Sequence, residues 1–128
     1  MTSIVEKQLN NKTVNYIDLC CGIGGFRIAI NKLVTGKKFE CVLSADVKRD
    51  AVETYNINFN EENEITDIYN LNIEEIKPFD LLCAGFPCQP FSSAGQKKGF
   101  DDERGGMIFK IIDICKHQKP KNIILENV

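Results

Sequence analysis

Short apolar runs alternate with helical patterns along this chain, and that alternation restricts what it can fold into more than any single residue does. Val14 to Cys20 reads as a buried strand, Phe26 to Val34 carries apolar residues at helical spacing and ends near Gly36, and Phe39 to Ala45 is a second strand. Arg49 to Phe59 reads as a second helix, and Leu81 to Ala84 is the next clear strand after a polar stretch. Gly106 to Lys116 is a strongly apolar helix, and Asn122 to Leu125 is a last strand entered after Pro120. Parallel strands cannot be joined by a tight turn and need a crossover, which a helix supplies. The rhythm therefore predicts an α/β fold, a parallel sheet with helices on both faces.

The chain has 128 residues, enough for one domain or part of one. Hydrophobic residues make up 43% and charged residues 27%, the balance of a soluble globular domain, and no apolar stretch approaches the roughly 20 residues of a membrane span. The opening MTSIVEKQLNNKT has charges and asparagines where a signal peptide needs an unbroken apolar region, so a cytoplasmic location is expected. Without a secretory signal, the six cysteines read mostly as buried thiols and not as a disulfide framework. No CxxC pair exists, and the only histidine, His117, lies in a lysine-rich helix end, so no metal site is expected. A net charge of −2 argues against this segment alone gripping nucleic acid, because a phosphate-tracking surface carries a basic excess.

The run AGFPCQPFS places Cys88 between Pro87 and Pro90, on a tight loop directly after the third strand. A thiolate attacks electrophilic carbon well, and flanking prolines fix the backbone on both sides, so the sulfur is offered as a nucleophile. The segment Gln96 to Gly106, rich in glycine and charge, is either a solvated connection or a lid beside Cys88.

Three further constellations point to a ligand crevice. DLCCGIGGF, Asp18 to Phe26, is a glycine-rich turn between the first strand and the first helix, where glycines allow unusual dihedrals and close backbone approach. Its spacing is not the GxGxxG of dinucleotide sites, and no GK[ST] follows, so a ligand with an amino-acid or nucleoside end fits better than a pyrophosphate. Asp46 ends the second strand, where doubly wound sheets place an acid on ribose hydroxyls; its alternative role is a helix cap. Glu126 follows the apolar strand IIL, so it belongs at the same carboxyl edge as Cys88 and becomes a candidate acid facing it across a substrate.

DLCCGIGGFR, SADV, AGFPCQPFSSAGQKKGF, ERGG and ENV, in that order, strongly resemble the N-terminal part of the catalytic domain of DNA cytosine-5 methyltransferases of the bacterial restriction-modification type. The resemblance covers nearly the whole chain, and PCQ followed downstream by ENV is its most specific element. It implies a Rossmann-like, doubly wound, mostly parallel sheet, the fold of S-adenosylmethionine-dependent methyltransferases, incomplete at its C-terminal side. It implies S-adenosylmethionine at the turn of Gly22, Gly24 and Gly25, with Asp46 on the ribose and Asp67 and Ile68 at the adenine. Cys20, Ile23, Val47, Pro87 and Met107 would line the same pocket.

The implied mechanism follows from cytosine C5 being a poor nucleophile. Cys88 adds to C6 and makes the ring an enamine, while Glu126 holds N3 and the exocyclic amine. Double-stranded DNA would present the base flipped, with the Gln96 to Gly106 loop closing over it and Arg104 contributing to that loop or to a phosphate contact. In this family Cys20 is commonly Phe and Val47 often a bulky aromatic, so the smaller residues imply a weaker hold on the cofactor. The family's later arginines, target recognition domain and returning C-terminal helix have no counterpart. The expectation is thus a domain fragment, residues 1–128, with an open sheet edge at Asn122 to Leu125, self-associating or needing a complementary C-terminal chain. A non-catalytic cofactor- or partner-binding fragment and a transfer-RNA cytosine-5 methyltransferase are the alternatives.

Overall fold

The computed structural model describes residues 12–86 and 106–127. Four strands, β1 (Val14–Leu19), β2 (Phe39–Ala45), β3 (Leu81–Gly85) and β4 (Asn122–Glu126), form one sheet in the order β2-β1-β3-β4, and every pairing is parallel. The helices are α1 (Gly25–Asn31), α2 (Arg49–Phe59) and α3 (Gly106–Gln118). β1 lies inside the sheet, so the chain leaves it in one direction to reach β2 and returns on its other side to reach β3. The topological switch point therefore falls between β1 and β3, where open α/β sheets bind their ligands.

Alternation along the strands sorts the core into two layers. Ile17, Leu19, Leu82 and Ala84 face one side and pack with Ile111 and Ile114 of α3 and with Ile68, Ile76 and Phe79 of the connection before β3. Tyr16, Leu81 and Cys83 face the other side and pack with Ile30 of α1. Helices cover both faces, as the alternation predicts.

The boundaries differ from expectation at a few places, each for a local reason. β1 stops at Leu19 because Cys20 takes a left-handed conformation, φ 53°, which no strand continues. α1 ends at Asn31, short of the expected Val34, and Val34 is fully exposed with no surface to cover it. α3 runs on to Gln118, whose amide donates to the carbonyls of Ile73 and Ile76. The polar stretch contains two single 3-10 turns, Ile68–Asn70 and Ile73–Glu75, each capped by the side chain before it, Asp67 and Asn72.

Register brings the strand ends level. Leu19 lies opposite both Ala45 and Ala84, and Gly85 lies opposite Glu126, so the residues following the strands share one edge. β4 is the outermost strand and, among the described residues, pairs only with β3. Ile123, Ile124 and Leu125 are 48%, 47% and 46% exposed, so both faces of this edge are uncovered by the described residues. No described helix is long and apolar enough to cross a membrane.

Candidate functional site

The glycine turn is bonded to the end of β2. Cys21 N–H donates to the carbonyl of Ala45 at 3.1 Å, and Gly22 N–H donates to Oδ2 of Asp46 at 2.9 Å. The other oxygen of that carboxylate accepts from Lys48 N–H at 2.9 Å, and the Asp46 carbonyl accepts from Thr66 N–H, also at 2.9 Å. Asp46 thus joins the turn, the entry to α2 and the segment leading to Asp67. Each carboxylate oxygen has more than one lone-pair direction, so the group can still accept from a ligand hydroxyl.

A cavity of about 350 Å³ opens beside this carboxylate. Its apolar wall is Cys20, Val47, Ile68 and Met107, with the Cys20 thiol 3.4 Å from the Met107 sulfur. Asp46, Asp67 and Glu126 supply its acids, and Gly22 contributes bare backbone. Asp67 also caps the 3-10 turn, accepting from Tyr69 N–H at 3.0 Å, so that the cap fixes where its carboxylate sits. Lys48, Thr66, Gly85 and Phe86 line the same space and were not picked out from the sequence. The signal for the last two was position alone, since they end β3.

A second cavity, about 400 Å³, lies against the first turn of α1 and is lined by Cys20, Cys21, Gly25, Phe26, Gly85 and Glu126. The two cavities share Cys20, Gly85 and Glu126. A Cβ at Gly85 would lie 3.4 Å from Glu126 Oε2, so the bare backbone of β3 lets the carboxylate lie over it. Asn127 bonds to the Phe86 carbonyl at 3.1 Å and ties the end of β4 to the end of β3.

Two expected cofactor residues line neither cavity. Ile23 projects from the turn, 58% exposed, and Gly24 is buried against α2. Pro87, Cys88, Arg104 and the expected lid from Gln96 to Gly105 lie outside the described residues; Gly106 is the first residue of α3.

Burial sets the electrostatics. It pushes the Cys20 thiol up to about 11 and Cys21 and Cys83 up to about 12, helped by nearby carboxylates, so these sulfurs stay protonated at neutral pH, Cys20 and Cys21 as cavity walls and Cys83 inside the core. Asp18 is fully buried on the α1 side of β1, and neither of its oxygens has a hydrogen-bond partner among the described residues. Burial raises its pKa to about 7, with Arg27 opposing the shift and Asp46 adding to it. Its signal in the sequence was an acid among the apolar residues Tyr16, Ile17 and Leu19. Among the described residues no three His, Cys, Asp or Glu side chains gather as a metal site.

A family model described as C-5 cytosine-specific DNA methylase matches residues 14–128. Type II methyltransferase M.HhaI of Haemophilus parahaemolyticus is 44% identical over 128 residues, all of this chain and 37% of that protein. Type II methyltransferase M.BanI of Aneurinibacillus aneurinilyticus is 44% identical over 119 residues, 90% of this chain and 27% of its own length. Among solved structures, the Entamoeba histolytica methyltransferase EhMeth superimposes with a TM-score of 0.76 at 25% identity, over 91% of this chain and 38% of that one. The S. pombe Dnmt2 methyltransferase gives 0.70 at 27% identity, over 90% and 36%. The chain spans roughly a third of the length of the proteins it matches.

Proposed function

From the chain's membership of the C-5 cytosine-specific DNA methylase family, we propose that it carries the cofactor-binding and nucleophile-bearing part of a DNA cytosine-5 methyltransferase. The observation that carries the reading is Glu126, a carboxylate in the wall common to two adjoining cavities at the carboxyl edge of the sheet. One cavity suits a nucleoside, and the other leaves room for a second reactant beside it.

The donor set of the first cavity fits S-adenosylmethionine. Asp46 and Asp67 accept from hydroxyl or amino groups, as a ribose and an adenine present, and Cys20, Val47, Ile68 and Met107 offer a soft apolar surface for the base. A Cβ at Gly22 or Gly25 would meet nothing within 4 Å, so backbone at both positions is open to a ligand. When bound, this cofactor supplies a methyl group made electrophilic by its positive sulfur.

The chain's own residues would prepare the acceptor. Cys88, as thiolate, forms a bond to cytosine C6; the C5–C6 double-bond pair shifts toward C5, which becomes the nucleophile. Glu126 orients the ring through N3 and the exocyclic amine and holds a proton where negative charge develops. Once C5 carries the methyl group that the cofactor would supply, loss of the C5 proton and departure of the thiolate restore the ring. The base must leave the duplex to reach such a site, which makes double-stranded DNA with a flipped cytosine the substrate.

Because the chain spans 37% of the M.HhaI relative, we assign transfer to this chain together with residues corresponding to the remainder, in one polypeptide or as a complementary chain. Labelled methyl incorporation into DNA, measured with the chain alone and with the remainder added in trans, tests this. The reading expects incorporation only with both, lost on Cys88→Ser; incorporation that survives Cys88→Ser would overturn it.

A further inference from the structure

The three glycines of the turn have different surroundings. Gly22 (φ 53°) and Gly25 each border one of the two cavities, with nothing within 4 Å of a Cβ. Gly24 (φ 95°) is buried, and a Cβ there would lie 2.2 Å and 2.6 Å from two atoms of the Phe59 ring and 3.2 Å from the Tyr55 ring. The space that a side chain at 24 would need is filled by the protein's own second helix.

That ring is held in place. The Arg27 guanidinium lies 4.6 Å from the centre of Phe59, donates to Tyr55 Oη at 3.2 Å and pairs with Glu61 Oε1 at 2.6 Å. Tyr55 and Phe59 contact each other at 4.6 Å between centroids, and Tyr55 Oη lies 3.8 Å from the Cys41 sulfur on β2. Arg27, Tyr55 and Phe59 line neither ligand cavity. Gly24 N–H bonds to the Cys21 carbonyl, and the adjoining Gly22 N–H bonds to Asp46, so a shift at Gly24 is passed to the backbone that borders the first cavity.

We propose that Phe59, clamped by Arg27, is a positioning residue for the glycine turn, setting Gly22 and Asp46 in register for the ligand without touching it. The inference rests on the cofactor reading above for its effect on affinity. Its effect on the turn is independent of any ligand.

A double-mutant cycle separates this contact from the backbone strain that any side chain suffers at φ 95°, because that strain is the same in both backgrounds. Calorimetric titration with S-adenosylmethionine is expected to show Gly24→Ala weakening binding by about tenfold more beside Phe59 than beside Ala in Phe59→Ala. Equal losses in the two backgrounds would overturn the proposal. Arg27→Lys keeps the charge and avoids the strained position. In the ligand-free protein it should speed amide exchange at Gly22 by about tenfold, while the Leu82 amide in the central sheet is unchanged. An unchanged Gly22 amide, or equal acceleration at both, would overturn the proposal. No binding by the unaltered chain would defeat the cofactor reading alone, since exchange at Gly22 still decides the positioning role.

Discussion

Asp46 holds Gly22 by its side chain: Oδ2 accepts the glycine N–H at 2.9 Å across 24 residues of sequence. With its other oxygen on Lys48 N–H, the carboxylate is a structural part of the turn before any ligand arrives.

Asp46→Ala should therefore destabilise the ligand-free protein. Two backbone N–H groups lose a charged acceptor, a cost of about 1–3 kcal/mol. Thermal unfolding without cofactor checks this, and a midpoint equal to that of the unaltered protein would show that Asp46 does not hold the turn.

Asp18 gives the protein a pH dependence of stability. Burial raises its folded-state pKa from 3.8 to about 7, so between those values the folded chain keeps a proton that the unfolded chain has released. Its contribution is complete below pH 4, falls as pH rises toward 7, and is level above that. Asp18→Asn should flatten that slope and raise stability at pH 8 by up to roughly 3–4 kcal/mol, the scale set by about three pH units. Denaturant unfolding of the two proteins from pH 4 to 8 provides the check; parallel curves would exclude Asp18 as the source.

The thiols should divide by reactivity. Cys20, Cys21 and Cys83, with pKa values near 11 to 12, hold almost no thiolate at pH 7.5, whereas Cys88 is assigned the nucleophile's role. Brief alkylation followed by peptide mapping should find Cys88 modified ahead of these three. Faster labelling at Cys20 would point to a different nucleophile.

The edge at β4 should draw a partner. Three consecutive apolar residues, each close to half exposed, lie on a strand that among the described residues pairs on one side only, and such edges recruit another strand. Sedimentation should show concentration-dependent association that Ile124→Lys reduces; a monomer at every concentration would count against it.

Much of this arrangement was legible in the sequence because it depends on repeating patterns. β2 and α2 have the bounds that periodicity gives, and in a parallel sheet the residues after each strand must share an edge, so Asp46 and Glu126 could be brought near the turn on paper. What escaped has no periodic signal. A left-handed Cys20 has no marker in residue type, and 3-10 turns of three residues are too short for periodicity to detect. Lys48 and Thr66 reach the cavity through the path of irregular backbone, which local pattern does not fix. Gly22 and Gly24 look alike in GIGG, yet one borders open space and the other a phenylalanine ring, a difference set by a helix more than 30 residues away.

Calorimetric titration of the chain with S-adenosylmethionine, repeated on Asp46→Ala, tests the central claim most directly. The account predicts saturable binding by the unaltered chain, weakened at least about tenfold by the substitution, as the loss of a charged hydrogen-bonding group and its turn implies. Binding that is unaffected by Asp46→Ala, or absent from a folded unaltered chain, would contradict it.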